Sequence, residues 1–296
     1  MLARCWLSGA IDARVAGMSD RRVALVTGTS SGIGLEVALG LARRGVHVVA
    51  TARDVAKGAG LLAAATQEGL TVELRALDVT VPEQAEACVT AVVADHGRLD
   101  VLVNNAGRGK VATLEQLDDG ELQEQLEVNY LSVARLTRLV LPVMRSAGRG
   151  RVVTVTSVGG VVGQPFADAY CGAKFAVEGL MQSLAPVVAR FGVEVAVVEP
   201  AAVASEFVRN TGAADTGSPL DDDYAPLLQA YLHRTGRSFA TAQPSKEAAA
   251  VVVEAALTEQ PRFRWQTSPS AEGFAGLSLA DLSGERVLDQ TRTWLT

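Results

Sequence analysis

RRVALVTGTSSGIGLEVALGLARRG, Arg21–Gly45, decides the fold. Arg21–Gly28 is a short apolar run that reads as a buried strand, and it leads without a spacer into TGTSSGIG, Thr27–Gly34. Apolar residues at helical spacing follow as far as Gly45, a residue suited to closing a helix. Strand, glycine-rich turn and helix in direct succession is the context in which such glycines hold a dinucleotide. Gly28 permits the tight turn, Gly32 lets backbone approach the pyrophosphate, and Gly34 lets the helix pack closely on the strand. The helix N-terminus then turns unpaired N–H groups toward the phosphates.

The same alternation continues outward. VHVVATAR (Val46–Arg53) reads as a second strand, followed by a helix to about Gly69 and a third strand, TVELRALDV, ending near Asp78. Pro82 begins a helix, RLDVLVNNAG is strand four with its loop, and Leu117–Met144 is a long helical region. RVVTVTS is strand five, VEVAVVEP strand six, SKEAAAVVVEAAL (Ser245–Leu257) a helix and PRFRWQTS a final strand. Strands that are nearly all apolar and alternate with helices imply a parallel sheet covered on both faces. With right-handed crossovers the expected α/β architecture is a single-domain, doubly wound Rossmann fold over residues 21–296. Residues 1–20 read as a loose extension without a catalytic part, with Met18 standing just before the first strand. Residues 204–236, rich in Gly, Ser, Thr and Asp around Asn210–Asp223, are expected to form a substrate lid.

The end of strand two should decide which dinucleotide is preferred. An acidic residue there grips a ribose 2′-hydroxyl, whereas an arginine accommodates a 2′-phosphate. The stretch is ATARD, so Arg53 favours NADP(H), with Ser30 or Ser31 as further donors and Asp54 as an N-cap of the next helix. Asp78 is placed to accept from an adenine amino group or to cap the helix at Pro82. NNAG, Asn104–Gly107, ends strand four beside the expected crevice; as a plain turn it would use positive φ. Asn129 lies within a helix, where asparagine is a poor former, and is expected to hold a water or the backbone near Lys174.

Strand five ends at Ser157; Tyr170 follows, with Lys174 one helical turn beyond it on the same face. A phenol ionises near pH 10 in water, and a neighbouring ammonium is expected to lower that value. Such a tyrosine exchanges a proton with a carbonyl or alcohol oxygen, and Ser157 can hydrogen-bond the same oxygen. Val158, Gly159, Gln164 and Phe166, between the serine and the tyrosine, are expected to shape an apolar substrate pocket.

The chain has 296 residues, 48% hydrophobic and 20% charged, with a net charge of −6 and no basic block. This composition argues against nucleic acid and anionic membrane surfaces as partners, and no apolar run is long enough to span a bilayer. Cys5, Cys88 and Cys171 read as free thiols of a cytoplasmic protein. His47, His96 and His233 show no metal-ligand spacing along the chain, so no metal is expected.

TGTSSGIG, NNAG, the helix asparagine and Ser157 with YCGAK, in this order, resemble the short-chain dehydrogenase/reductase family over about Arg21–Val203. SVGGVVGQPFADAYCGAKFAVEGL and ATARD look most like its 17β-hydroxysteroid dehydrogenase type 1 and retinol dehydrogenase branch. The resemblance implies Asn129, Ser157, Tyr170 and Lys174 as a catalytic tetrad. Around NADP(H) it implies Gly28, Ser30, Ser31, Gly32, Ile33, Gly34, Arg53, Asp78, Val79, Asn105 and Val203, with Ala106, Gly107 and Pro200 beside them. It further implies interconversion of a hydrophobic ketone or aldehyde and its alcohol, by a steroid- or retinoid-type enzyme or a biosynthetic ketoreductase. A non-catalytic cofactor sensor is the reading from another class. Association as a homodimer or homotetramer, through the helices containing Asn129 and Tyr170, is implied as well. The chain departs from the family in having Pro200-Ala201 where Pro-Gly is usual, and in its lid.

Overall fold

A computed structural model describes residues 21–206 and 223–285. The extension at residues 1–20 and the middle of the expected lid lie outside them. Seven parallel strands form one sheet: β1 (Val23–Val26), β2 (His47–Ala52), β3 (Val72–Ala76), β4 (Val101–Asn104), β5 (Gly150–Val155), β6 (Val193–Glu199) and β9 (Arg264–Gln266). Their spatial order is β3-β2-β1-β4-β5-β6-β9. The order reverses between β1 and β4, which pair through Ala24–Val101 and Val26–Val103. A crevice opens beyond the carboxyl ends of the strands at such a reversal. The expected Rossmann fold is therefore present as one domain.

Helices cover both faces, which is why the central strands carry almost no polar residues. On one face pack α3 (Pro82–His96), α5 (Ser132–Ala147) and α6 (Asp168–Ala189), burying Leu25, Leu102, Leu136, Met144 and Met181. On the other pack α1 (Gly32–Arg43), α2 (Ala59–Gln67) and α8 (Ser245–Leu257), burying Val37, Leu41, Leu61, Val252 and Trp265. The helical region expected over Leu117–Met144 runs as α4 (Asp119–Leu126), a π-helical turn (Glu127–Leu131) and α5. A two-residue ladder, β7 (Val203–Ala204) with β8 (Gln243–Pro244), and helices α7 (Ala225–Ala240) and α9 (Pro269–Ala275) complete the described chain. Ser245 does not cap α8; its hydroxyl donates to the Ala204 carbonyl at 2.7 Å and ties the start of the helix to the ladder. Among the described residues, no helix is long and apolar enough to cross a membrane.

Candidate active site

A cleft of about 2260 Å³ lies at the carboxyl ends of the strands, larger than the usual small-molecule pocket and roomy enough for a dinucleotide with a second molecule. Gly28, Ser30, Ser31, Gly32, Ile33 and Gly34 form one wall. Gly28 and Gly32 have φ of 69° and 59°, where a side chain is strained, and a Cβ on Gly28 would stand 2.8 Å from the Ala106 Cα. A Cβ on Gly34 would meet the Gly28 carbonyl oxygen at 2.2 Å and the Asn105 amide nitrogen at 2.4 Å. The turn is thus built for bare backbone, and the cradle fits a dinucleotide phosphate. Gly34→Ala should cost about 1–3 kcal/mol through overpacking, read as a lower melting temperature and weaker nucleotide binding in a thermal-shift titration.

The rest of the predicted nucleotide set lines the same cleft. Arg53 is exposed at its edge, past the end of β2, and Asp54 accepts from the Ala56 N–H at 2.9 Å, capping a short 3-10 turn. Asp78 lies on the wall beside Val79 and does not cap α3. Its Oδ1 accepts from the Thr80 N–H and hydroxyl, at 3.0 and 2.6 Å, because the chain must turn before Pro82. Ala106, Gly107, Pro200 and Val203 line the same cleft.

NNAG is a bracket, and none of its residues has positive φ. Asn105 donates to the carbonyls of Thr27 and Gly28 at 2.9 and 3.0 Å, so it holds the glycine turn to the end of β4. Buried Asn104 donates to the Thr137 and Thr154 hydroxyls.

Ser157, Tyr170 and Lys174 converge on the cleft floor. Ser157 follows β5, and its Oγ accepts from the Gly159 N–H at 2.9 Å and is hydrogen-bonded with the Tyr170 phenol. Buried Lys174 donates from Nζ to the Val155 carbonyl at 3.0 Å, with that nitrogen 5.9 Å from the Tyr170 ring centre. The electrostatics correct the expectation from sequence. Loss of solvent pushes the Tyr170 phenol up to about 12, against the downward pull of Ser157, and Lys174 is not among the groups that shift it. Burial weakens the lysine instead, pulling its ammonium down to about 8 although Glu178 opposes this. The ammonium serves the Val155 carbonyl, and the tyrosine stays a protonated acid at neutral pH.

Asn129 sits behind the wall, fully buried in the π-helical turn, a local bulge often found at functional sites. It accepts from the Arg108 N–H at 3.2 Å and donates to the Arg108 carbonyl at 2.9 Å, fixing the loop after β4. A Cβ on Gly107 would lie 2.9 Å from the Asn129 Oδ1 and 3.6 Å from the Lys174 Nζ, so the asparagine and lysine flank this glycine.

Of the residues expected to shape a substrate pocket, Val158 and Gln164 line the cleft, whereas Gly159 and Phe166 do not. Phe166 adopts φ of 57°, and its buried ring packs against Tyr231, tilted by 41° with centres 5.5 Å apart, behind the surface it was expected to form. Helix α7 adds Tyr231, Leu232 and Phe239 to the cleft.

Sequence reasoning missed one feature beneath the floor. Arg264 pairs with Glu178 at 2.7 Å and with Glu199, and Gln266 donates to the second Glu199 oxygen at 2.7 Å; all four are buried. Burial pushes the Glu178 carboxyl up to about 7 despite Arg264. The available signals were a glutamate one turn beyond Lys174 and another ending the apolar run VEVAVVE.

A glycine cradle at the sheet's reversal point, with a serine, tyrosine and lysine on the floor of the same cleft, is the layout of a nucleotide-dependent oxidoreductase. The family model for short chain dehydrogenase matches residues 22–216, and the chain belongs to that family. It is 35% identical over 278 residues to retinol dehydrogenase 8 of Bos taurus, covering 89% of this chain and 86% of the relative. It is 36% identical over 276 residues to 17-beta-hydroxysteroid dehydrogenase type 1 of Mus musculus, covering 90% and 79%. The structure of a short-chain dehydrogenase from Streptomyces avermitilis superposes with a TM-score of 0.73 at 33% identity, covering 94% of this chain and 95% of that one.

Proposed function

We propose that the protein is an NADP(H)-dependent reductase and dehydrogenase that interconverts a hydrophobic ketone or aldehyde and its alcohol. The observation that carries this reading is the convergence of Ser157, Tyr170 and Lys174 on a cleft whose other wall is the side-chain-free glycine turn. The bound nicotinamide supplies the hydride. Tyr170, protonated at neutral pH, gives its proton to the carbonyl oxygen in reduction and takes one from the alcohol in oxidation. Ser157 holds that oxygen, Lys174 supplies positive charge beside the phenol, and Asn129 keeps the adjoining loop in place. The side chains of Val158, Tyr231, Leu232 and Phe239 support an apolar substrate, and the likeness to retinol and steroid dehydrogenases points the same way.

Arg53 supports preference for a 2′-phosphate. Initial rates with NADPH and NADH across steroid ketones, retinal and β-keto esters test the whole reading. Turnover of one class with NADPH favoured is expected; Arg53→Ala should raise the NADPH KM about tenfold and leave the NADH KM nearly unchanged. Equal use of both cofactors by the native protein would overturn the Arg53 assignment.

Residues 204–236 are proposed as the substrate lid. A homodimer or homotetramer is supported by an apolar groove between α5 and α6, lined by Leu141, Leu184, Val187 and Phe191, the last two well exposed. The absence of a basic block and the buried free thiols Cys88 and Cys171 support a cytoplasmic location.

A further inference from the structure

At the amino-terminal edge of the sheet, opposite the cleft, three side chains far apart in the chain meet. His47 opens β2, Glu73 is the second residue of β3 and His96 is the last residue of α3. We propose that His47, Glu73 and His96 form a binding site for a divalent transition-metal ion, with zinc as the best fit. Both imidazole Nε2 atoms point at one carboxylate oxygen, Glu73 Oε2, at 3.3 Å from His47 and 3.0 Å from His96. Tetrahedral zinc with bonds of about 2.0–2.1 Å separates neighbouring ligand atoms by about 3.3–3.4 Å, close to these spacings. All three donor atoms lie within 4.8 Å of one another. The rings are tilted by 48° with centres 4.4 Å apart, so both edges reach the same point without stacking face to face.

The donor set suits the ion and its setting. Two imidazoles and a carboxylate are zinc ligands, and the half-exposed side chains leave a fourth position for water. The carboxylate is already oriented: Arg75 donates to the other Glu73 oxygen at 2.5 Å and to Asp95 at 2.7 Å. Such outer partners fix the ligand, and two carboxylates against one guanidinium leave the patch net negative for a dication. Because β2, β3 and α3 are held by the fold, the ion would clip an edge strand to its covering helix.

The test uses the full chain, stripped with chelator and titrated with zinc chloride alone. Calorimetry is expected to show one ion per chain with a micromolar or tighter dissociation constant, and a melting temperature that rises with zinc. Zinc-edge X-ray absorption should give two nitrogens among the light ligands. His47→Gln and His96→Gln should each weaken binding at least about tenfold and leave turnover unchanged. Two variants are used so that a fold defect in one, seen by circular dichroism, leaves the other to decide. Millimolar binding only, or affinity unaltered in a folded variant, would overturn the site.

Discussion

Tyr170→Phe keeps saturable NADPH binding and loses carbonyl reduction by about a hundredfold to ten-thousandfold in kcat, the span of a positioned general acid. On the proposed reading the phenol is the proton donor in the cleft, and burial holds its proton at neutral pH. The substitution removes that oxygen and leaves a ring of nearly the same shape, so the packing persists and the glycine turn across the cleft is untouched. Stopped-flow reduction with a separate fluorescence titration of NADPH distinguishes the two effects. Retention of more than about a tenth of the turnover would remove Tyr170 from the proton step.

Arg264→Met unfolds the protein more readily by about 3–5 kcal/mol, a drop of about 6–20 °C in melting temperature. The guanidinium is the cation between Glu178 and Glu199, and all three are buried. Its removal leaves two carboxylates in a medium that solvates neither. The same cluster makes stability depend on pH with a fixed sign. Glu178 ionises near 4.5 in the unfolded chain and near 7 in the folded one, so the native state holds its proton more tightly. Its contribution is fully present below pH 4.5 and is lost as pH rises toward about 7. Chemical denaturation at pH 5 and pH 8 should therefore show a smaller decline in Glu178→Gln than in the native protein. An identical decline in both would remove Glu178 as the source.

The parts of this molecule legible in sequence are those set by local geometry. Gly28, Gly32 and Gly34 could be read because a turn with no room for Cβ requires glycine whatever surrounds it. The strands could be read because burial on both faces leaves only apolar side chains, and the spacing of Tyr170 and Lys174 is a property of one helix. What was illegible depends on pairing across the fold. Arg264 meets Glu178 and Glu199 only when β9 joins the sheet beside β6, and His47 meets His96 only across β3. Phe166 was placed in the pocket on its position in the chain, but a backbone with φ of 57° turns it behind the wall. The shift of Tyr170 had the wrong sign because its burial decides it, and depth is not written in the spacing.

The central claim is that the cleft joins hydride delivery from one wall to proton delivery from Tyr170 on the floor. Reduction of a ketone by the native protein with NADPH dideuterated at the nicotinamide C4, followed by mass spectrometry of the alcohol, tests it most directly. Deuterium is predicted at the carbinol carbon and not on oxygen. Alcohol formed without the label at that carbon, or bound NADPH that no carbonyl compound consumes, would contradict it.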